Sequence, residues 1–259
     1  MIEGFLSKMK PTLVIDYYEQ ARSDPSLAVL EGLHPVIHGI RFGADLTNIL
    51  VTDPEAIRGV ADRLAPDVTS KMLEKAEVIP ADTFAKLTRP RAPIPTGIIA
   101  VARRPHYSLG KLLNGEGAAP IIFLENPRDL GNLGAAIRVA AAGGAAGVIT
   151  TGEHDPWHPA AIRGSAGLHF ALPVIGIEEL PDSDRPLIIL DPEAGGPHML
   201  GTIPPRAILA FGGERYGLGE DLISRAVKSI RIPMRQGVTS LNLATSVAIT
   251  LYTWKLSHL

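Results

Sequence analysis

Apolar and polar positions along this chain repeat with two different periods. In AVLEGLHPVIHGIRFG (28–43) the apolar residues fall at helical spacing and stop at Gly43, a residue suited to the left-handed position just past a helix. LTNILVTD (46–53) reads as a short strand, and Asp53 at its end is suited to cap a following helix. PADTFAKLT (80–88) reads as a helix and TGIIAVARR (96–104) as the strand that closes this unit. HYSLGKLLNGEG (106–117) then mixes Gly, Asn, Ser and charges between apolar segments, which is linker composition. The pattern therefore divides the chain into a domain at 1–105, a linker at 106–117 and a domain at 118–259.

The second half has the cleaner pattern. APIIFLEN (119–126) is nearly continuous in apolar residues, as strands covered on both faces are. GNLGAAIRVAAAGGA follows as a helix and AGVITTG as a strand. FALPVIGI, PLIILD, RAILAFGG and KSIRIPM are further strands, with short helices such as GEDLISRAV between them. Strands alternating with helices predict an open α/β sheet with its ligand site at the strand carboxyl ends. The chain closes on IRIPMRQGVTSLNLATSVAITLY (230–252), in which an apolar run enters a loop rich in hydroxyls and amides and then a segment without charge until Lys255.

Composition narrows the classes. Of 259 residues none is cysteine, which removes disulfides and thiolate metal sites and points to a reducing compartment. MIEGFLSKMKPTLVIDYYEQ (1–20) has acids among its apolar residues and lacks the apolar core of a signal peptide, and no apolar run reaches the ~20 residues that span a bilayer. The expectation is a soluble cytoplasmic protein. A net charge of −2 argues against gripping nucleic acid by sheer charge. A local patch remains: Arg89, Arg91, Arg103 and Arg104, followed by His106 and Lys111, read either as solvated surface or as a nucleic-acid contact.

Three stretches could carry chemistry. In ENPRDLGNLGAAIRVA (125–140), every position from Leu133 to Gly147 is apolar or small except Arg138. A helix of that kind is normally buried over most of its surface. Arg138 then needs a partner, either an acid elsewhere in the fold or an anionic substrate such as a phosphate. Asn132 suits a helix N-cap as well as a site. In AILAFGGERYGLGEDL (207–222) a strand enters a Gly-rich turn and a helix, but the spacing fits neither a dinucleotide fingerprint nor a P-loop. In the closing stretch Ser240 and Asn242 stand immediately before a helix, and capping accounts for only one of them. HDPWH (154–158) spaces two His as metal ligands on a helix would be, yet Pro156 interrupts the helix, so no metal is expected.

Together and in this order, the three stretches resemble the motifs of the SpoU (TrmH-like) branch of the SPOUT RNA methyltransferases. IRGSAGLHFALPV (162–174) resembles the segment usually found between the first two. The resemblance spans about Pro120 to Tyr252. More loosely, the first half is similar to a small α/β RNA-binding domain shared with large-subunit ribosomal proteins. The resemblance implies a mostly parallel sheet whose C-terminal segment threads into a deep trefoil knot, an exception to the usual absence of knots. It implies S-adenosylmethionine as cofactor, held among the knot loops that contain Gly212, Ile232 and Leu241, with Met234 nearby. It also implies methyl transfer to a ribose 2′-hydroxyl of structured RNA, ribosomal rather than transfer RNA on the two-domain layout. The partner is a second copy of the chain, packed through the terminal helix.

By motif position, Arg138, Asn132, Glu214, Ser240 and Asn242 are the catalytic set, and Glu214 is the natural charge partner of Arg138. A guanidinium holds its proton up to a pKa above ~12, so Arg138 is better suited to bind an RNA phosphate and orient the hydroxyl than to act as the base. Members of the branch often begin with a basic leader. This chain begins MIEGFLSKMK and soon turns acidic, which leaves Arg89, Arg91, Arg103 and Arg104 as the expected RNA contacts. A non-catalytic RNA-binding relative and a nucleotide-dependent dehydrogenase are the rivals. The intact motif positions weigh against the first and the missing fingerprint against the second.

Overall fold

The computed structural model describes residues 6–88, 94–191, 203–213 and 217–258. In chain order, the first half carries α1 (Pro11–Ser23), β1 (Leu27–Glu31), α2 (Leu33–Arg41), β2 (Leu46–Val51), α3 (Pro54–Leu64), α4 (Pro66–Glu74), β3 (Ala76–Val78), α5 (Ala81–Leu87) and β4 (Ile98–Arg103). The second half carries α6 (Leu109–Leu113), β5 (Ile121–Leu124), α7 (Leu130–Gly143), β6 (Gly147–Thr150) and α8 (Pro159–Gly164). It continues with β7 (Val174–Gly176), β8 (Leu187–Leu190), β9 (Ile208–Phe211), α9 (Glu220–Arg225), β10 (Lys228–Ile230) and α10 (Leu243–Ser257). These residues form two compact units, and the division is not a single cut: 157–170, from the middle of the second half, folds with residues up to 105.

The first unit is built on a sheet in the order β1-β4-β2-β3. β4 runs antiparallel to both neighbours, while β2 and β3 are parallel. Tyr18, Val29, Leu50, Phe84, Ile99 and Val101 meet in its core. Residues 28–43 correct the helical reading of that stretch. Ala28, Val29 and Leu30 are a strand paired to β4, and only Leu33–Arg41 is helical. Gly32, at φ 107, separates the two. A run buried on both faces loses its period, so helix and strand look alike there. Asp53 caps α3 by accepting from Glu55 N and Ala56 N, both at 3.0 Å.

Glu31 is the charged centre of this unit. Its carboxylate accepts from Arg22 Nη2 at 2.9 Å and from Arg163 Nη1 of α8 at 3.1 Å. The Glu31 and Arg22 side chains are only 3% and 9% exposed. Replacing Glu31 by Ala leaves the Arg22 guanidinium buried without its carboxylate. The expected loss is about 3–5 kcal/mol of stability in this unit, read by denaturant unfolding. Further hydrogen bonds and contacts seat the 157–170 segment: His38 Nδ1 lies 2.6 Å from Ala166 O, and Gly167 stands where a Cβ would come within 2.6 Å of Pro35 Cα.

The second unit is a six-stranded sheet, β10-β8-β9-β5-β6-β7, in which every pairing is parallel. The apolar runs read from sequence as strands are these strands. The 106–117 stretch, linker-like in composition, holds α6, whose Leu112 and Leu113 are buried in this unit. Arg185 secures it. Its guanidinium donates to the carbonyls of Leu113, Leu112, Gly115 and Arg206 at 2.7–3.2 Å, and burial pulls its pKa below the ordinary value.

α7 and α10 pack against each other. At Gly143 a Cβ would lie 2.9 Å from Leu251 Cγ, so the glycine permits the close approach. No helix among the described residues is long and apolar enough to cross a membrane.

Candidate active site

The carboxyl ends of β8, β9 and β10 open onto a cavity of about 600 Å³ in the second unit. Gly212, Ile232, Met234 and Leu241, the positions expected to bind a cofactor, all line it, and so does Ser240. The wall after β9 is backbone against backbone. Gly213 bridges to Gly217, and a Cβ on Gly212 would stand 2.5 Å from Gly217 O and 2.6 Å from Leu218 N. A Cβ on Gly213 would be 2.7 Å from Asn126 O. These glycines are therefore required by space. Apolar side chains, backbone groups, the hydroxyls of Ser240 and Ser246 and the charges of Asp191 and Arg231 suit a purine nucleoside with an amino-acid tail, and the volume lies within the ordinary range for ligands of that size.

A second group of site residues gathers where α7 and α10 begin. The N-cap of α7 is Asp129, whose carboxylate accepts from Asn132 N at 2.7 Å. That corrects the capping reading of Asn132. A cap must stand outside the helix with its side chain folded back, and Asn132 is already inside the first turn. Its side chain serves a longer-range role instead: Asn132 Oδ1 accepts from Asn242 Nδ2 at 2.8 Å. Asn242 is the cap of α10, accepting from Ala244 N at 2.9 Å and Thr245 N at 3.3 Å. One side chain thus starts the last helix and joins it to the first motif. Ser240 does not cap the helix and faces the cavity instead.

Arg138 departs from its expectation. α7 turns Leu133, Gly134, Ala136, Ile137 and Ala140 inward, and Arg138 lies on the exposed side. The outer positions are small enough that uniform apolarity did not mean uniform burial. Among the described residues Arg138 makes no hydrogen bond or ion pair, and Glu214, its expected partner, lies outside the described residues.

The basic patch is divided as well. Arg103 pairs with Asp45 at 3.2 Å, both side chains 71% exposed, a contact that water and salt weaken to about 0–1 kcal/mol. Arg104 Nε donates to Leu27 O at 2.5 Å, within the first unit. Arg89 and Arg91 lie outside the described residues. His158 caps α8 through Nδ1, which accepts from Ala160 N at 3.1 Å. No cluster of metal-ligating side chains occurs among the described residues.

Several lining residues were not singled out from sequence. Leu190 and Asp191 line the cavity from β8 and Arg231 from β10, so both an acid and a base stand at adjacent strand ends. An acid closing the apolar run PLIILD was the available signal for Asp191.

The sequence signature of the SpoU rRNA Methylase family matches residues 119–252. A 23S rRNA (adenosine(1067)-2'-O)-methyltransferase of Streptomyces laurentii is 26% identical over 255 residues, spanning 92% of this chain and 89% of its own. The 23S rRNA (guanosine(2553)-2'-O)-methyltransferase RlmP of Bacillus subtilis is 25% identical over 241 residues, 90% of each chain. In fold, the chain is similar to the SpoU methyltransferase AviRb from Streptomyces viridochromogenes in complex with AdoMet. The TM-score is 0.75 at 19% identity, over 93% of this chain and 97% of that one.

Proposed function

Because this chain belongs to the SpoU rRNA Methylase family, we propose that it transfers a methyl group from S-adenosylmethionine to a ribose 2′-hydroxyl of structured RNA, ribosomal RNA rather than transfer RNA. The observation that carries this reading is the convergence of the three motif stretches. Gly212, Ile232, Met234, Ser240 and Leu241 line one cavity, and Asn132 and Asn242 are bonded to each other. The ribosomal RNA relatives support the choice of RNA, since they match this chain over 90% or more of its length.

S-adenosylmethionine supplies a methyl group on a sulfonium, which an aligned nucleophile can displace. The glycine-lined wall and Ile232, Met234 and Leu241 would hold the nucleoside part by backbone groups and apolar contact. Arg138, exposed on the helix that also carries Asn132, would bind the phosphate next to the target ribose and orient the hydroxyl. Its guanidinium keeps its proton, so the hydroxyl proton passes to a neighbouring group or to water. Ser240 and Asn242 would hold the ribose and the loop, and Glu214 would pair with Arg138.

The finer parts of the reading follow the family. The C-terminal segment, from β10 through α10, threads a trefoil knot around the cavity. The first unit, resembling a ribosomal-protein RNA-binding domain, brings the substrate, with Arg89, Arg91, Arg103 and Arg104 as its expected contacts. Two chains pair through α10, whose Tyr252 and Leu256 are 40% and 70% exposed and apolar. The place of action is the cytoplasm.

Methylation of ribosomal RNA transcripts with labelled S-adenosylmethionine, followed by mapping of 2′-O-methyl sites, tests the whole. Transfer at a discrete ribose is the expected result. Absence of both transfer and S-adenosylhomocysteine binding rejects the reading.

Asn242 offers a sharper test within it. Asn242→Asp keeps a good N-cap but lacks the donor to Asn132, so the melting temperature should hold while methyl transfer falls about tenfold. Asn242→Ala should lose both, with about 1 kcal/mol of stability. Unchanged transfer in the Asp variant would remove the pair from the site.

A further inference from the structure

We propose that Glu125 is a positioning residue for the cofactor cavity: its carboxylate tethers Gly219 and so holds Gly217 and Leu218 against Gly212 in the cavity wall. The inference rests on the proposed function and deepens it, because it names what holds that wall in place.

Glu125 follows β5 directly, and its backbone N–H donates to Phe211 O at 2.9 Å, at the end of β9. Its side chain reaches past the loop that starts there, and Oε2 accepts from Gly219 N at 2.7 Å. Gly219 is the residue before α9, and its backbone N–H, one of the donors a helix start leaves without an intrahelical partner, is satisfied by Glu125. The second carboxylate oxygen also lies against the loop, since a Cβ on Gly219 would stand 3.1 Å from Oε1.

Between these two anchor points the chain passes through Gly212, Gly213, Gly217 and Leu218, which line the cavity. Glycines allow the close backbone approach of Gly212 to Gly217 and Leu218, and the same freedom leaves Gly217 and its neighbour Leu218 other positions. An external tether is the physical remedy. Glu125 does not itself line the cavity. It therefore acts through the loop, and it links the loop to the segment that leads into α7, where Asn132 and Arg138 stand.

The experiment is steady-state methylation and calorimetric binding of S-adenosylhomocysteine by the full chain and by Glu125→Ala and Glu125→Gln. Losing a hydrogen bond to a carboxylate should raise the cofactor KM and the S-adenosylhomocysteine Kd of the Ala variant about ten- to a hundredfold. Its kcat at saturating cofactor should stay within about threefold, because no group that touches the reacting atoms is removed. Gln keeps an acceptor at the same reach and should stay within about threefold of the parent in all three. An Ala variant that binds like the parent overturns the proposal, as does one that loses kcat alone. A Gln variant as impaired as Ala also counts against the tether.

Should the Ala variant fail to fold by circular dichroism, Glu125→Asp decides. One methylene shorter, Asp should lose the bond and weaken binding about tenfold or more while Gln does not, and parent-like binding by both overturns the proposal. Failure of the parent itself to bind S-adenosylhomocysteine rejects the proposed function. Binding by the parent with no effect of Glu125 rejects this inference alone.

Discussion

Replacing Arg138 by alanine should lower methyl transfer by about a hundredfold or more and leave the Kd for S-adenosylhomocysteine within about twofold. The split follows from geometry. Arg138 is absent from the cavity lining and lies on the exposed side of α7, so its loss removes nothing that touches the cofactor. It has no partner among the described residues, and removing an exposed side chain of that kind changes stability by only about 0.5 kcal/mol. On the proposed function, what would be lost is the fork that meets a phosphate and fixes the ribose beside it. Arg138→Lys should recover only part of the activity, since an ammonium is a point charge without the fork geometry. Single-turnover methylation alongside calorimetry reads both arms. Parent-like turnover in the Ala variant would remove Arg138 from the mechanism.

The second large effect is expected at Gly212, and it should appear in the opposite arm. A methyl group there would stand 2.5 Å from Gly217 O and 2.6 Å from Leu218 N, inside the distances real Cβ atoms keep. Both obstacles are backbone, so no side chain can swing aside. The wall must open, and with it the surface that would hold the nucleoside. Gly212→Ala should weaken S-adenosylhomocysteine binding about a hundredfold, or beyond detection, with the rest of the fold intact by circular dichroism. Gly59→Ala is the control. That glycine lies within α3, where a Cβ meets nothing within 4 Å, and binding should be unchanged. Equal affinity in the Gly212 variant would mean that the cavity after β9 is not the cofactor site.

These two residues also show how differently a sequence exposes its parts. Gly212 was legible only through the resemblance carried by three motifs in order, since the glycine spacing alone fits neither a dinucleotide fingerprint nor a P-loop. Arg138 was legible as a position but not as an environment. Apolar residues on every side of a helix state that burial is affordable, while the neighbours decide which side is covered. α10 covers one side of α7, at Gly143 and Leu251, and Arg138 faces away from the inward residues. Asn132 was ambiguous for a related reason. A cap is defined by the backbone angle of the residue that leaves the helix, and Asp129, three positions earlier, has the extended conformation and the side chain to satisfy Asn132 N.

By itself the sequence determined the elements whose signal is local. The buried strands of the second unit follow from unbroken apolar runs, the start of α3 from Asp53, and the cavity positions from the family resemblance that motif order carries. Only the tertiary structure decided what long-range pairing creates. The strand order β10-β8-β9 brings Asp191, Gly212 and Ile232 to one cavity although forty residues and more than one element separate their ends. The 157–170 segment joins the first unit because Arg163 meets Glu31, 132 residues away in the chain. Glu125 reaches Gly219 across 94 residues. Local propensity is written into neighbouring side chains, but a contact between distant residues depends on how every intervening element packs, and no single stretch of sequence carries that information.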